Sequence, residues 1–389
     1  MPEAVITSAV RTPIGTAYKG TLAETPAEVL ALHVLREAVR RSGVTAETFD
    51  DVIFGESLYG GGDLARHAAV AAGMTQVPGV AMNRHCASGL TAIGTAAANI
   101  RAGMDRAVVA GGVHSFSTAP VLRWRVPLSD DVQERIPPTF PYTEDASDDV
   151  ALSVGWNVAR KFGITREQMD AWALRSHRRA VAAIEEGVFA DEIVPIKVAR
   201  RNGSRVAFAV DEHPRPDTSA EKLARLKPLR PEIEGFSITA GNAAGVNDAA
   251  AALAVLSDEL ARTQGVPVLA TVRAWAAVGV DPQFTGVAAI DAAAKVLDRA
   301  GLSTTDIDLW EINEAFASVP VAACQELGLD EERVNVHGSG CSLGHPIAAS
   351  GARMVTTLVH ELRRRGGGRG LATMCAGGGQ GGAVIVEVP

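Results

Sequence analysis

The chain has 389 residues and a formal net charge of -8, and 47% of its residues are hydrophobic while only 5% are aromatic. This length exceeds what one small core holds, so we expect two or three domains around one large packed body. The composition excludes a disordered or fibrous chain, and the negative charge argues against a nucleic-acid-binding protein. It favours a soluble α/β protein that acts on small molecules.

The N-terminus and the cysteines indicate a reducing compartment. Residues 1–6 lack the basic and long apolar regions of a secretion signal, and no apolar run reaches the roughly 20 residues that cross a bilayer. The cysteines form no CxxC pair, which predicts neither a zinc site nor a disulfide framework. We expect a cytoplasmic protein with no metal and four free thiols, at Cys86, Cys324, Cys341 and Cys375.

Strands and helices alternate over the first third of the chain. Short apolar runs bounded by turn residues predict strands, and helical spacing of apolar residues predicts helices between them. The predicted strands cover residues 5–10, 52–54, 80–86 and 107–110, and the predicted helices pass through Leu30 and Val39 and cover residues 65–72 and 88–100.

Residues 118–238 interrupt this alternation with prolines and charged side chains. Thr165 and Gln168 have the spacing of a capping box at the start of a helix. We interpret the region as an inserted loop or lid domain. Its excess of arginine and lysine fits a solvated face or, alternatively, the binding of a phosphate-bearing ligand.

The last third repeats the element order of the first, which predicts an internal duplication. Its strands are predicted at residues 269–272, 309–312, 334–337 and 371–374, and its helices at 289–300, 315–326 and 350–364. The predicted domains are an N-terminal half at 1–117 plus 239–265, the loop domain at 118–238, and a C-terminal half at 266–389. Packing the halves face to face would bring the loops that hold Cys86, His345 and Cys375 to one seam.

Cys86 lies where an extended segment turns into a helix rich in small residues, in the sequence Asn-Arg-His-Cys-Ala-Ser-Gly-Leu. The partial positive charge of a helix N-terminus favours the thiolate, which is the nucleophilic form of cysteine. A buried structural cysteine fits this motif equally well when the motif is taken alone.

Two glycine-rich segments near the C-terminus carry the other reactive residues. His345 lies in a loop dense in glycine before a helix, and such loops permit close approach of the backbone to a ligand. Cys375 ends a buried strand and is followed by Gly377, Gly378 and Gly379, whose N–H groups are candidates to hold an oxyanion. The alternative is that this segment is an ordinary turn and that Cys375 has no chemical role. The GxGxxG and P-loop spacings of phosphate-binding loops are absent.

A fourth segment places Asn313 at a strand end, in the sequence Glu-Ile-Asn-Glu-Ala-Phe-Ala. An amide there is able to hold a water against a substrate carbonyl, although Asn is also an ordinary cap residue. These four segments together resemble the thiolases, the acyl-CoA C-acyltransferases, in composition and in order. Residues 239–248, with the sequence Thr-Ala-Gly-Asn-Ala-Ala-Gly-Val-Asn-Asp, match a further signature of that family.

The resemblance implies a duplicated αβαβα fold with an inserted loop domain, and Claisen condensation of acyl-CoA or the reverse thiolysis of a 3-oxoacyl-CoA. Cys86 would carry the acyl group after deprotonation by His345, and Cys375 would exchange the α-proton. His345 with an Asn313-held water would form one oxyanion site, and the N–H groups of Cys86 and Gly377 the other. Coenzyme A is expected as a substrate, no tightly bound cofactor or metal is needed, and a homodimer or homotetramer is implied.

The chain departs from the family pattern mainly on the substrate side. His114 replaces a usual Glu, Ala348 a usual Gly, Ala244 a Ser, and Trp156 a Glu, and residues 150–152 align with a His-Met-Gly stretch. His85 replaces a small apolar residue beside Cys86. The catalytic residues are therefore retained, while the identity of the acyl group is left undetermined. The departures fit either neutral drift or a pocket altered for an unusual acyl group. Arg215 aligns with a basic residue that reaches the nucleotide end of coenzyme A, through a contact expected to be salt-sensitive.

Three other functions compete with this interpretation. A decarboxylating ketosynthase would place two histidines, or His and Asn, beside its cysteine, whereas this chain offers His345 and Cys375. A non-catalytic scaffold would have lost the catalytic residues, and none is lost. A cysteine hydrolase would need a Cys/His/Asn arrangement. The sequence leaves the chain length of the acyl group, the reaction direction and the pathway undetermined.

Overall fold

The computed structural model of the chain describes residues 1–59, 62–135, 138–141, 149–200 and 203–389. Within these residues no helix is long and apolar enough to cross a membrane. The strands are β1 Ala4–Arg11, β2 Gly15–Thr16, β3 Asp51–Gly55, β4 Gly79–Met82, β5 Ala107–His114, β6 Arg123–Arg125, β7 Val132–Glu134, β8 Ile196–Ala199, β9 Arg205–Phe208, β10 Asn247–Ser257, β11 Ala270–Gly279, β12 Leu309–Ile312, β13 Gly368–Ala376 and β14 Gln380–Val388. The helices are α1 Ala27–Ser42, α2 Leu64–Ala71, α3 Ser88–Arg101, α4 Asn157–Lys161, α5 Arg166–Glu185, α6 Ala220–Ala224, α7 Asp258–Gln264, α8 Ala288–Ala300, α9 Ser318–Leu327, α10 Gly340–Leu343 and α11 Ile347–Arg364.

One mixed sheet runs through both halves of the molecule. Its order is β12-β13-β14-β11-β1-β10-β5-β3-β4, and β2 pairs with β10. The halves meet at β1 and β11, which share only two residue pairs. On one side β5 lies between parallel β3 and antiparallel β10, and on the other β13 lies between parallel β12 and antiparallel β14. This repeated arrangement confirms the duplicated fold.

The three largest hydrophobic cores hold together five layers of helix and sheet. Because neighbouring residues of a strand point to opposite faces, Val108 packs with α3 and α11 while Val109 packs with α1 and α2. In the other half Ala372 faces the same central helices, whereas Leu371 faces α8 and α9. All eleven residues of β10 are buried. The order of layers is therefore helix, the part of the sheet in the N-terminal half, the central helix pair, the part of the sheet in the C-terminal half, and helix.

Glycines let the two central helices approach closely near their N-termini. A Cβ at Gly89 would lie 2.8 Å from the carbonyl oxygen of Ala348, and a Cβ at Gly351 would lie 2.6 Å from the backbone nitrogen of Leu90. Real Cβ atoms do not approach backbone this closely, so both positions need glycine. This contact fixes the start of α3 against the start of α11.

The predicted capping box before α5 is confirmed, and one predicted strand is wrong. Thr165 accepts from the backbone of Gln168 and its own N–H donates to the Gln168 side chain at 2.8 Å. The predicted strand at 334–337 is absent because Asn335 has a left-handed backbone, with φ of 50°. Its side chain instead bonds the N–H and C=O of Ile312, each at 2.8 Å, in the manner of a strand partner.

Candidate active site

Cys86 lies in a tight turn between β4 and α3. The Ser88 hydroxyl donates to the carbonyl of His85 at 2.6 Å and accepts from the N–H of Arg84 at 2.8 Å, which closes the turn at the helix start. The backbone N–H of Gly377 hydrogen-bonds the Cys86 thiol. Surrounding protein nevertheless raises the pKa of this thiol to about 11, so burial outweighs the helix N-terminus that was expected to favour the thiolate. Cys86 is a neutral thiol at rest and needs a base.

His345 lies just before α11 and is held by hydrogen bonds. Its backbone N–H donates to the side-chain oxygen of Asn247 at 3.0 Å, and its Nδ1 lies 2.7 Å from the Ser350 hydroxyl. The tautomer that donates from Nδ1 to Ser350 leaves Nε2 as the basic nitrogen. Nε2 is buried and has no hydrogen-bond partner among the described residues. Gly344 allows this packing, since a Cβ there would lie 2.3 Å from Asn247.

Burial lowers the pKa of His345 to about 3, with further lowering by His114 and Arg353. The imidazole is therefore neutral near pH 7 and is able to accept a proton. His114 contributes because it ends β5 on the same face as Gly112, and a Cβ at Gly112 would touch the carbonyl of Ala348 in the loop after His345.

His114 is a fully buried histidine whose two ring nitrogens have no partner among the described residues. Its ring makes edge contacts with Tyr59 and with Phe116, at centroid distances of 5.9 and 4.5 Å. Burial lowers its pKa to about 4. A neutral side chain thus occupies a position where the family resemblance implies a carboxylate.

Cys375 lies near the end of β13, where it pairs with Gly381 of β14. It is 2% exposed, and burial raises the pKa of its thiol, as does the neighbouring Cys86. The strand ends one residue later, and Gly377 turns its N–H towards Cys86. One short segment thus supplies both a second thiol and a hydrogen-bond donor.

Asn313 follows β12 and is completely buried. Its side-chain nitrogen lies 3.4 Å from Nδ1 of His345, and its side-chain oxygen has no partner among the described residues. The adjacent Glu314 was not singled out from the sequence. Its carboxylate accepts hydrogen bonds from Trp172, Ser176, Asn335 and the backbone of Cys341, at 2.6 to 3.0 Å. Glu314 therefore ties the Asn313 segment to the loop before His345 and to α5.

Four of the predicted site residues line one cavity of about 240 Å³: Cys86, His345, Cys375 and Gly377. Asn313 lies behind His345 and does not line it. Arg215 is exposed and outside the cavity, and its backbone N–H donates to His177 at 3.1 Å. The His213 ring, two residues earlier in the chain, packs against Gly245 of the cavity wall.

The rest of the cavity wall was largely missed from the sequence. His85 and Ala244 line the cavity, whereas Ala348 is buried beneath it and Trp156 packs against Phe236. Val150 and Val154 have the i, i+4 spacing of one helical face, and this pattern in the sequence could have indicated that they lie on the same side. The remaining residues come from several parts of the chain, and they are Ser57 and Leu58 after β3, Phe116 after β5, Val246 before β10, Ala315 and Phe316 after β12, Ile347 at the start of α11 and Ala376 at the end of β13. Among the residues described above, no group of three or more His, Cys, Asp or Glu is placed to hold a metal ion.

Comparison with known proteins identifies the family of the chain. The family models described as "Thiolase, N-terminal domain" and "Thiolase, C-terminal domain" match residues 4–259 and 266–388. An acetyl-CoA acetyltransferase and a β-ketoadipyl-CoA thiolase of Pseudomonas aeruginosa are each 42% identical to the chain, with 99% of both chains covered in each case. The crystal structure of the Bacillus anthracis acetyl-CoA acetyltransferase has a TM-score of 0.92 and 42% identity, and the match covers 100% of this chain and 99% of that one. The chain belongs to the thiolase family.

Proposed function

We propose that this protein transfers acyl groups between coenzyme A thioesters through a thioester on Cys86. The reaction is Claisen condensation of two acyl-CoA molecules or, in reverse, thiolysis of a 3-oxoacyl-CoA. The observation that carries the proposal is the convergence of Cys86, His345, Cys375 and the N–H of Gly377 on one cavity. The printed names of the relatives, acetyl-CoA acetyltransferase and β-ketoadipyl-CoA thiolase, support it.

In thiolysis, Nε2 of His345 takes the Cys86 proton as Sγ attacks the 3-oxo carbon. The N–H groups of Cys86 and Gly377 stabilise the oxygen that becomes negative. Cleavage of the C2–C3 bond leaves an enolate, which the Cys375 thiol protonates. Coenzyme A then gives its proton to Cys375 and takes the acyl group, and His345 returns a proton to Cys86. Attack and enolate formation take place on opposite sides of one carbonyl, so two separate bases are needed.

The other roles follow from position. Asn313 would hold a water that, with His345, faces the thioester carbonyl of the second acyl-CoA. Arg215 would reach the nucleotide end of coenzyme A from the loop domain at 118–238. The N-terminal half, 1–117 plus 239–265, would supply Cys86, and the C-terminal half, 266–389, would supply Asn313, His345 and Cys375. We further infer that no cofactor is tightly bound and that the protein is a cytoplasmic homodimer or homotetramer.

The proposal is tested by incubating the protein with acetyl-CoA and measuring its intact mass. The expected result is one acetyl group on the wild-type chain, located on Cys86 by peptide mapping, and none on Cys86→Ala. Failure of every acyl-CoA to label Cys86 would favour a non-catalytic scaffold. Consumption of malonyl-CoA with release of CO₂ would instead favour a decarboxylating ketosynthase.

A further inference from the structure

One end of the cavity is polar, although most of its wall is apolar. The apolar part includes Phe116, Val150, Val154 and Phe316. At the other end the Ser57 hydroxyl lies 3.4 Å from Nδ1 of His85, and Nε2 of His85 lies 2.7 Å from the hydroxyl of Thr139. Ser57 and His85 both line the cavity. Ser57 and His85 therefore form this end, which we call the polar end, and Thr139 lies behind the cavity wall as the partner of Nε2 of His85.

His85 is held rigidly in this position. Its backbone has a φ of 44°, in the left-handed region that residues with a side chain rarely adopt. The conformation is fixed by the N–H of His85, which donates to the Asn83 side chain at 2.9 Å, and by its carbonyl, which accepts from Ser88. Strained backbone of this kind persists where the surroundings enforce it, often at functional sites. The ring itself is held by the two hydroxyl groups that lie near its nitrogens, those of Ser57 and Thr139.

The ring of His85 lies next to the reacting sulfur. A Cβ at Gly377 would lie 3.4 Å from Cγ of His85, so the ring covers the residue whose N–H bonds the Cys86 thiol. An acyl group attached to Cys86 therefore begins within reach of the polar end.

The polar end is suited to an uncharged group. Burial lowers the pKa of His85, so its imidazole is neutral near pH 7. None of the described residues that line the cavity is Lys or Arg. A carboxylate here would lack a cationic partner, which makes its burial costly, whereas a hydroxyl or ketone is matched by the donors and acceptors of Ser57 and His85.

We propose that Ser57 and His85, whose ring is held by Thr139, select acyl groups that carry a hydroxyl or ketone on the carbon chain beyond the thioester carbonyl. This inference rests on the proposed function, because it requires the acyl group to be attached to Cys86. His85 and Ser57 act as specificity-determining residues and take no part in proton transfer.

The test is the rate at which three four-carbon thioesters acylate Cys86: butyryl-CoA, 3-hydroxybutyryl-CoA and succinyl-CoA. Rapid quenching and intact mass give each rate separately. One net hydrogen bond corresponds to roughly a three- to tenfold preference, so the wild type should prefer the hydroxylated group over butyryl by about that factor and react slowest with succinyl. His85→Leu and Ser57→Ala should each remove the preference. His33→Leu, a matched change on α1 away from the cavity, should retain it.

The outcomes separate the two proposals. If Cys86 is acylated but the hydroxybutyryl-to-butyryl ratio is the same in wild type, His85→Leu and Ser57→Ala, the selectivity is overturned while the function stands. If succinyl reacts fastest, the choice of an uncharged group is wrong. If no thioester labels Cys86 in the wild type, both proposals fail. Should His85→Leu not fold, Ser57→Ala decides the result.

Discussion

The turns before α3 and α11 occupy equivalent positions in the two halves, but one carries a thiol, which is an acid, and the other an imidazole, which is a base. Cys86 lies two residues before α3 begins at Ser88, and His345 lies two residues before α11 begins at Ile347. Their supports differ. The Cys86 turn is closed by its own Ser88 and the thiol is contacted by Gly377 of the other half, whereas His345 is bonded by Ser350 of its own half and by Asn247 of the other.

The same buried seam shifts both groups towards the neutral form. It raises the pKa of the Cys86 thiol to about 11 and lowers the pKa of His345 to about 3. The resting pair is therefore a thiol and a neutral imidazole, unlike the thiolate–imidazolium pair of many cysteine enzymes. In the proposed reaction, charge separates only while the sulfur attacks and the N–H of Gly377 meets the developing oxyanion. The Cys86 thiol therefore stays protonated, and Nε2 of His345 stays unprotonated, until substrate binds.

Removing the Cys86 thiol should have the largest effect, because it leaves the turn before α3 without its reactive group. Cys86→Ala should lower the rate of acetoacetyl-CoA thiolysis by roughly 10⁴-fold or more, because no other group is able to carry the acyl chain. The loss is measured by the disappearance of the substrate absorbance. Cys324→Ala, a matched change at a buried cysteine of α9 that does not line the cavity, should keep the wild-type rate. Thiolysis by Cys86→Ala above about 1% of wild type would contradict the role of Cys86.

Removing the base should have the next largest effect. His345→Asn is expected to slow acylation of Cys86 by about 10²- to 10⁴-fold, the usual contribution of general base catalysis. Ser350→Ala removes only the partner of Nδ1 and should slow it about tenfold. Single-turnover acylation by rapid quench measures both. If the two variants lost activity equally, the tautomer held by Ser350 would be as important as the base itself, and the division of roles between them would be wrong.

The neutral state of His345 is tested by introducing charge beside it. The neutral form is the active one, so activity is present above the pKa of about 3 and is lost as pH falls through it. A carboxylate in His114→Glu favours the imidazolium and raises this pKa, so the acid limb of kcat/KM should move upward by at least about one pH unit. Arg353 also lowers the pKa of His345, and the ionisable side chains of Cys86, Cys375 and His85 line the same cavity.

The pH profile of kcat/KM between about pH 4 and 7 measures the effect of His114→Glu, because the wild-type limb near the His345 pKa of about 3 lies below this range and the shifted limb enters it. The neutral variant His114→Gln is the control. The control should show the wild-type acid limb, because neither Gln nor neutral His carries charge in this range. An acid limb that is identical in the Glu variant would mean that His114 does not influence the base.

The smallest expected effect lies outside the seam. Arg215→Ala should raise the KM for coenzyme A about two- to fivefold and leave kcat unchanged, because one exposed ion pair contributes little. The difference should shrink as salt is added. Arg106→Ala is the matched control, since this exposed arginine precedes β5 at the end opposite to His114. An equal KM change in both variants would remove the assignment of Arg215.

Local pattern in the sequence predicted the frame of the molecule well. Alternating apolar residues and small-residue helices predicted the strands and helices of both halves. The positions just before α3 and α11 singled out Cys86 and His345 only together with the family resemblance. The strand predicted at 334–337 failed because the side chain of Asn335 takes the hydrogen bonds that a strand backbone would make. A side chain that substitutes for backbone leaves no periodic signal.

Long-range packing decided what the sequence did not predict. The helix N-terminus predicted a thiolate at Cys86, yet burial between two distant halves raises the pKa of this thiol. Phe116, Val154 and Phe316 meet at one cavity from separate regions of the chain. The partnerless ring of His114 depends likewise on packing around β5. These properties belong to the assembled halves and not to any single segment.

Because the central helices of the two halves touch at their glycines, enzyme activity indicates whether the two halves have docked. Gly89 and Gly351 allow the helix starts to touch, and each helix start carries one reagent. Neither half holds both a nucleophile and its base, so a refolding chain gains turnover only when the halves have docked. During refolding, the helical circular-dichroism signal and the enzyme activity should therefore recover at different times. The delay between the two measures the rate at which the halves dock.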